Sequence, residues 1–437
     1  MKSTRKKVSS SAKHNDWLRP GDGAVWVDAA DVGNNIFITL VRIVFCTCND
    51  GDIMIVRIRG FGNSVFAEMT ALAREFGAVN LGQGFPDFDT PEDIKQAAMK
   101  ALADGHNQYA VSHGEPVLRE AIARHAARFY NQHIDANKHV CVTSGASEAL
   151  WCSIFATIEP GDEVIVFEPA FDVYIPNLMM AGAVMKPVTL YAPDFRFNRD
   201  ELRAAFSGKT KAIMINTPHN PTGTVFTTEE LEFIRDLCIE FDVLAISDEV
   251  YEHIVFAPHN HVRIATLSGM ENRCITISSG GKTFSCTGWK CGWAIASEEL
   301  ITAIRRVHQF TVFAGATPFH YAIAYALDKE QEFYYQLTAQ YTKRRDYLYS
   351  VLQQTPLTVF NPEGAYFITA DISGITAMDG VEFSKWLIKE HGVAVIPSQK
   401  FYCNEERGKQ FIRFCFCKQD ETLQLAAQRL SQLTTTP

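Results

Sequence analysis

The chain has 437 residues, 47% hydrophobic and 21% charged, the balance of a globular protein long enough for two domains with their own cores. A formal net charge of −9 argues against nucleic acid or an anionic membrane as main partner. Eleven cysteines without a CxxC pair, and thirteen histidines without ligand spacing, read as free thiols in a reducing cytoplasm and as no metal site. Cys46/Cys48 and Cys415/Cys417 are each spaced by one, which on a strand puts both sulfurs on one face.

Residues 1–58 read as an N-terminal extension. Met1 to Lys13 is basic and serine-rich, a disordered composition. The apolar run Ile36 to Phe45 is short for a membrane span, is interrupted by Arg42, and starts too late for a signal peptide. The folded part begins near Gly60 with helical spacing from Val65 to Phe76, then a Gly/Pro-punctuated loop from Asn80 to Asp87. Thr90 is the expected N-cap, with Pro91 at the first position, of a helix running to Asp104; a second helix follows at Glu115 to Tyr130.

Strand and helix then alternate. Strands are expected at Val140–Thr143, Glu163–Phe167, Val184–Leu190, Ala212–Asn216, Val243–Ser247, Cys274–Ser278 and Gly292–Ala296. Helices are expected at Glu148–Ile158, Val173–Ala181 and Glu229–Phe241, the last behind the capping box Thr227 to Glu230. Apolar strands joined by helices predict an α/β fold, with a seven-stranded, mostly parallel sheet covered on both faces and ligands at the strands' carboxyl ends. Long helices return at Phe319–Ala326 and Glu330–Gln353, before a Gly/Pro-broken α+β tail. The expected division is a large domain over 96–318 and a small α+β domain from 59–95 and 319–437.

The chemistry gathers behind these strands. Lys282 sits in Ser278-Ser279-Gly280-Gly281-Lys282-Thr283, where small neighbours let a bulky carbonyl group reach its amine. Thr143-Ser144-Gly145-Ala146-Ser147-Glu148 links a strand to a helix N-terminus, whose free N–H groups favour phosphate. Asp248 ends an apolar strand, where a carboxylate needs a partner. Arg413 lies in the alternating run Phe411 to Phe416, and a guanidinium is a natural clamp for a carboxylate. Each also has a plain reading: surface lysine, tight turn, helix cap, solvent-facing arginine.

Seven segments in order tip that balance: NLGQGFPDF from Asn80, NQY from Asn107, TSGASEAL from Thr143, NTPHNPTG from Asn216, SDEVYEH from Ser247, SSGGKTFSCTGWKCGW from Ser278 and FIRFCF from Phe411. Over roughly residues 60–432 the chain resembles the pyridoxal-phosphate-dependent aminotransferases of fold type I, class I, and within them the methionine and kynurenine aminotransferases. The resemblance implies that Lys282 binds the cofactor and moves the substrate α-proton. It implies that Asp248 pairs with the pyridine nitrogen, and that Tyr251 and Asn220 bond the ring oxygen. Phe171 would stack on the ring, while Gly145, Ala146, Ser147, Ser279 and Lys290 would hold the phosphate. Arg413 and Gly84 would take the substrate carboxylate. Tyr109 matches a tyrosine that reaches the neighbouring subunit's phosphate, which implies a homodimer. Phe66, Phe85, Tyr109 and Phe313 would favour an apolar or aromatic amino donor, with a 2-oxoacid as acceptor. Two alternatives stand beside transamination: β-elimination at carbon–sulfur bonds with the same cofactor, and a non-catalytic binding protein. The second needs a DNA-binding domain in front, for which residues 1–58 are short and lack a helix-turn-helix pattern.

Overall fold

The computed structural model describes residues 65–433; the extension expected over 1–58 lies outside them. The central sheet has eight strands, not seven. In spatial order they are Val140–Thr143, Gly292–Ile295, Cys274–Ser279, Leu244–Asp248, Thr210–Asn216, Glu163–Glu168, Val184–Tyr191 and Arg196–Phe197. Six run parallel; Gly292–Ile295 and the edge strand Arg196–Phe197 are reversed. The edge strand is two residues long, too short to show any alternation in sequence.

Alternate residues of each inner strand pack on opposite faces. Ala212, Met214 and Ile246 join the core under the helices Ala146–Thr157, Tyr174–Ala181 and Glu298–Thr311. Ile213, Ile215 and Ala245 join the core under Arg199–Ala205 and Thr228–Glu240. Burial on both faces is what the continuous apolar runs demand. The capping box at Thr227 and Glu230 is formed. The cap expected of Thr90 is not: Pro91 holds that position before Glu92–Ala103, and the Thr90 hydroxyl donates instead to the Ser285 carbonyl at 3.0 Å. The helix Glu298–Thr311 was not expected; its buried side is a thin stripe of Ile301, Ile304 and His308.

A second, four-stranded antiparallel sheet combines Thr358–Val359, Phe367–Asp371, Phe411–Cys415 and Ile396–Pro397, and a separate parallel pair joins Val79–Asn80 to Val393–Ala394. Around them lies a core that includes Leu348, Phe367, Phe383 and Phe414. The helix Thr317–Leu327 packs on Glu92–Ala103 and Pro116–Tyr130, and its Ile323 and Leu327 share a core with Val140 and Trp293 of the eight-stranded sheet. Among the described residues no helix is long and apolar enough to cross a membrane.

Gly292 is the tightest point of the large sheet. It pairs with both Thr143 and Ser279, and a Cβ there would stand 2.5 Å from Ala146 N and Gly145 C. Both neighbours are backbone and neither can step aside without moving a helix start. Gly292→Ala should therefore cost about 1–3 kcal/mol of stability, the usual range for overpacking. Denaturant unfolding checks this, and an unchanged midpoint would show that strand and turn separate freely.

Candidate active site

Two adjoining cavities open at the carboxyl ends of the parallel strands. The first, of about 190 Å³, is lined by Gly145, Ala146, Ser147, Asp248, Ser279 and Lys290 among others. The second, of about 170 Å³, is lined by Phe66, Gly84, Asp172, Phe367 and Arg413. Phe171, Asn220, Tyr251 and Lys282 face both. Strands ending at Thr143, Asn216, Asp248 and Ser279 thus bring residues more than a hundred positions apart into one pocket.

Lys282 follows the strand Cys274–Ser279 on the short helix Gly280–Thr283. The two glycines before it are spatial requirements: a Cβ on Gly280 would meet Ile323 Cδ1 at 2.7 Å, and one on Gly281 would meet Thr287 Cα at 3.2 Å. Burial lowers the pKa of the Lys282 amine, against the pull of nearby thiols and of Asp248. Its Nζ lies 5.6 Å and 5.7 Å from the ring centres of Tyr251 and Tyr366.

Asp248 is buried, and burial raises its pKa to about 6 although the Tyr174 hydroxyl donates to Oδ2 at 2.7 Å and the Val250 N–H to Oδ1 at 3.3 Å. Because the folded value lies above the ordinary one, ionising this carboxyl costs stability as pH rises from about 4 through about 6, on the order of 3 kcal/mol when complete. A cation beside it would remove that cost. Asn216 braces the same turn: its amide donates to the Asp248 carbonyl at 2.9 Å and its oxygen accepts the Asn220 N–H at 2.7 Å.

Gly145 caps the helix Ala146–Thr157 with φ +80°, a conformation that favours glycine. A Cβ there would come within 3.1 Å of Lys290 Cε and Nζ, so the missing side chain lets the ammonium approach the helix N-terminus. Free N–H groups, a lysine and the Ser147 and Ser279 side chains line one wall, a donor set suited to phosphate.

Arg413 is almost fully buried on the strand Phe411–Cys415, and its guanidinium carbon lies 4.1 Å from the Phe367 ring centre and 5.2 Å from those of Phe66 and Phe401. Nη1 donates to Asn220 Oδ1 at 2.6 Å and Nη2 to the Gly82 carbonyl at 3.1 Å, while the buried Nε has no partner. A buried donor left unpaired is costly, and an incoming carboxylate would take it. Gly84 lines the same cavity, and a Cβ added there would meet the Phe367 ring at 2.8 Å.

Three expected residues lie elsewhere in this chain. Tyr109 is 86% exposed, and it meets the half-exposed Phe313 edge-on at 5.5 Å. Phe85 is 44% exposed and packs under Lys418 at 5.0 Å. Residues that sequence reasoning passed over are Tyr174, Asp172, Phe367 and Asn216. Tyr174 stands one helical turn after Phe171 and touches it edge-on at 5.6 Å, a spacing that could have marked it. The arrangement fits pyridoxal phosphate: an amine of lowered pKa, a buried carboxylate lacking a cation, and an anion cradle open to one pocket.

Comparison with known proteins agrees. The sequence model of the family described as aminotransferase class I and II matches residues 77–430. Methionine aminotransferase of Escherichia coli (strain K12) is 40% identical over 372 residues, covering 85% of this chain and 96% of that protein. Human kynurenine–oxoglutarate transaminase 3 is 41% identical, covering 85% of this chain and 88% of its own. The structure of N-succinyldiaminopimelate aminotransferase from Mycobacterium tuberculosis superposes with a TM-score of 0.84 at 42% identity, covering 86% of this chain and 99% of that one.

Tyr174→Phe should leave the fold in place and remove a donor that favours the ionised form of Asp248. The carboxyl should then stay protonated to higher pH than about 6. The infrared band of the buried acid, followed against pH in protein without bound ligand, reads this directly; a transition at the wild-type pH would show that the bond carries no weight.

Proposed function

This chain belongs to the class I and II aminotransferases, and from that premise we propose that it moves the α-amino group of an apolar or aromatic amino acid to a 2-oxoacid. It is a transaminase of fold type I dependent on pyridoxal phosphate. The bound cofactor supplies a carbonyl that condenses with amines and a ring that accepts electrons from the α-carbon.

The chain's own residues divide the remaining work. Lys282, whose amine burial makes easier to deprotonate, would take the proton from the substrate α-carbon and return it on the other side of the transfer. Asp248 would hold a cationic ring nitrogen and so regain what its burial costs. The Asn220 side chain is oriented by Arg413, and Tyr251 lines the same cavity; both would serve the ring's oxygen. Gly145, Ala146, Ser147, Ser279 and Lys290 would hold the phosphate, and Phe171 would cover the ring. Arg413, with Gly84 beside it, clamps the α-carboxylate.

The observation that carries the substrate reading is the second cavity. Phe66, Phe171, Phe367 and Tyr251 line it, and its lining holds one guanidinium, that of Arg413, already committed to the α-carboxylate. Methionine, phenylalanine, tyrosine and kynurenine fit that surface, and two of the relatives are named for methionine and kynurenine. Nothing in the cavity favours carbon–sulfur cleavage over transfer.

The working unit we propose is a cytoplasmic homodimer, in which Tyr109, Phe85 and Phe313 serve the partner's site. Their exposure supports this, and the nine described cysteines, all unpaired, suit a reducing compartment. The two sheets suit a division into a large domain over 96–318 and a small one from 59–95 and 319–437, except that the helix Thr317–Leu327 shares the core of the large sheet and goes with the large domain.

Lys282→Ala should lower transamination below about a thousandth of wild type, since loss of a general acid–base alone costs 10²–10⁴-fold. Stopped-flow turnover decides it; a larger remainder would move the catalytic role to another residue. Across a panel of donors, kcat/KM for methionine or phenylalanine should exceed that for aspartate by at least about tenfold, because a distal carboxylate would be buried without a partner. Arg413→Ala should depress every donor together. Aspartate as best donor, or an Arg413→Ala effect on one class alone, would overturn the pocket as described.

A further inference from the structure

The last turn of the helix Glu298–Thr311 carries a buried histidine that the chemistry above leaves unused. His308 has both ring nitrogens engaged: Nδ1 lies 2.7 Å from Glu148 Oε1, and Nε2 lies 2.6 Å from the Ser112 carbonyl oxygen. A carbonyl only accepts, so Nε2 carries a proton. The second oxygen of Glu148 accepts the Ser144 N–H, and Glu148 sits in the first turn of Ala146–Thr157, where the helix dipole favours an anion. With Glu148 ionised, Nδ1 is a donor as well and the ring is an imidazolium.

The surroundings agree. Burial lowers the pKa of His308, but the Glu148 carboxylate and the carbonyls of Ser112 and Phe313 outweigh it and leave the pKa raised. The titratable groups facing the ring from other elements are Glu148 and Cys152 on its helix, His113 in the loop before Pro116, and His320 on Thr317–Leu327. Burial, helped by Arg305, Arg119 and then His308, lowers His113 to about 4, and burial helped by His308 does the same to His320, so both are neutral when His308 is charged. Burial pushes the Cys152 thiol up, which leaves Glu148 as the facing anion.

This one side chain joins three parts of the protein. Ser112 belongs to the loop 107–115, which bears Tyr109, and its hydroxyl donates to the Phe313 carbonyl at 2.7 Å. The Phe313 N–H in turn donates to the His308 carbonyl at 3.1 Å, and Tyr109 rests on the Phe313 ring. On the other side, Glu148 holds Ser144, which precedes Gly145. We propose that protonated His308 is a positioning residue, fastening the loop 107–115 and its Tyr109–Phe313 pair to the phosphate cradle, and that this fastening opens at alkaline pH. The inference rests on Gly145, Ala146 and Ser147 being that cradle. Since the folded pKa lies above the ordinary value, the contribution is complete below about pH 6.5 and is lost as pH rises through the folded value.

Hydrogen exchange of the full-length holoenzyme, read by mass spectrometry as protection factors for peptides covering 107–115 and 143–148, tests this from about pH 6 to about pH 9. Wild type should lose roughly tenfold in protection of 107–115 across that range. His308→Gln should show the low, alkaline level at every pH and release cofactor on dialysis several-fold faster, followed by its absorbance. Should His308→Gln fold poorly, Glu148→Gln keeps an acceptor but removes the counter-charge, and its transition should move to lower pH. A wild-type pH profile in His308→Gln, or an unmoved transition in Glu148→Gln, would overturn the proposal. Ser147→Asp addresses the cradle separately: unchanged cofactor retention there would sink the cradle assignment while leaving the His308 dependence of loop protection to be judged by itself.

Discussion

Everything in the site is arranged around one carboxylate that the fold places where water cannot serve it. Asp248 ends an inner strand of a sheet covered on both faces, and its two acceptor oxygens receive a tyrosine hydroxyl and a long backbone N–H. Those bonds do not offset the burial, since the pKa still rises to about 6. Strand pairing fixes its neighbours: Asn216 lies opposite Asp248 on one side and Ile277 on the other, two residues before Ser279. A cation held by Asp248 is therefore automatically beside Lys282. The parallel register, more than any one side chain, sets the spacing between Asp248 and Lys282, the groups proposed to fix the ring and to move the proton.

Arg413 solves the opposite problem with different means. Its charge is buried among aromatic faces, which attract a guanidinium without satisfying its donors. Nη1 and Nη2 each give one N–H to Asn220 and Gly82, and the buried Nε–H is left without a partner. The bond to Asn220 also joins the proposed carboxylate clamp to the residue proposed for the ring oxygen, so the two roles would fall to one connected pair. Arginine suits this use better than lysine, because its fork serves the protein and the ligand at once.

How much of this was legible depended on range. Lys282 and the Gly145 turn follow their strands by a few residues and Asp248 ends its own, so local spacing was enough to place them at the carboxyl edge. Arg413 showed its alternation on Phe411–Cys415, yet its burial came from Phe66 and Phe401, which no local pattern links to it. Tyr174 and Asp248 are 74 positions apart, and only the packing of the helix Tyr174–Ala181 brings the hydroxyl to the carboxylate. Thr90 misled because the helix starts one residue later than its capping pattern suggests, with Pro91 at the cap position, while the Thr90 hydroxyl donates to the Ser285 carbonyl 195 residues away. The eighth strand is two residues long, too short for any pattern, whereas the helix Glu298–Thr311 carried a readable stripe of Leu300, Ile301, Ile304 and Val307 that was passed over.

The charges of the pocket can be taken together as a final argument. Asp248 would stand opposite a cationic ring nitrogen, Lys290 and the helix N-terminus opposite the phosphate, and Arg413 opposite one carboxylate, with Asp172 a further acidic group on the wall of the second cavity. Each charge of the ligands would thus have its own partner. A second carboxylate on the substrate would break that balance, and no arginine or lysine beyond those already engaged lines the second cavity to restore it. Apolar donors keep the balance, and the aromatic walls contribute the rest of their binding.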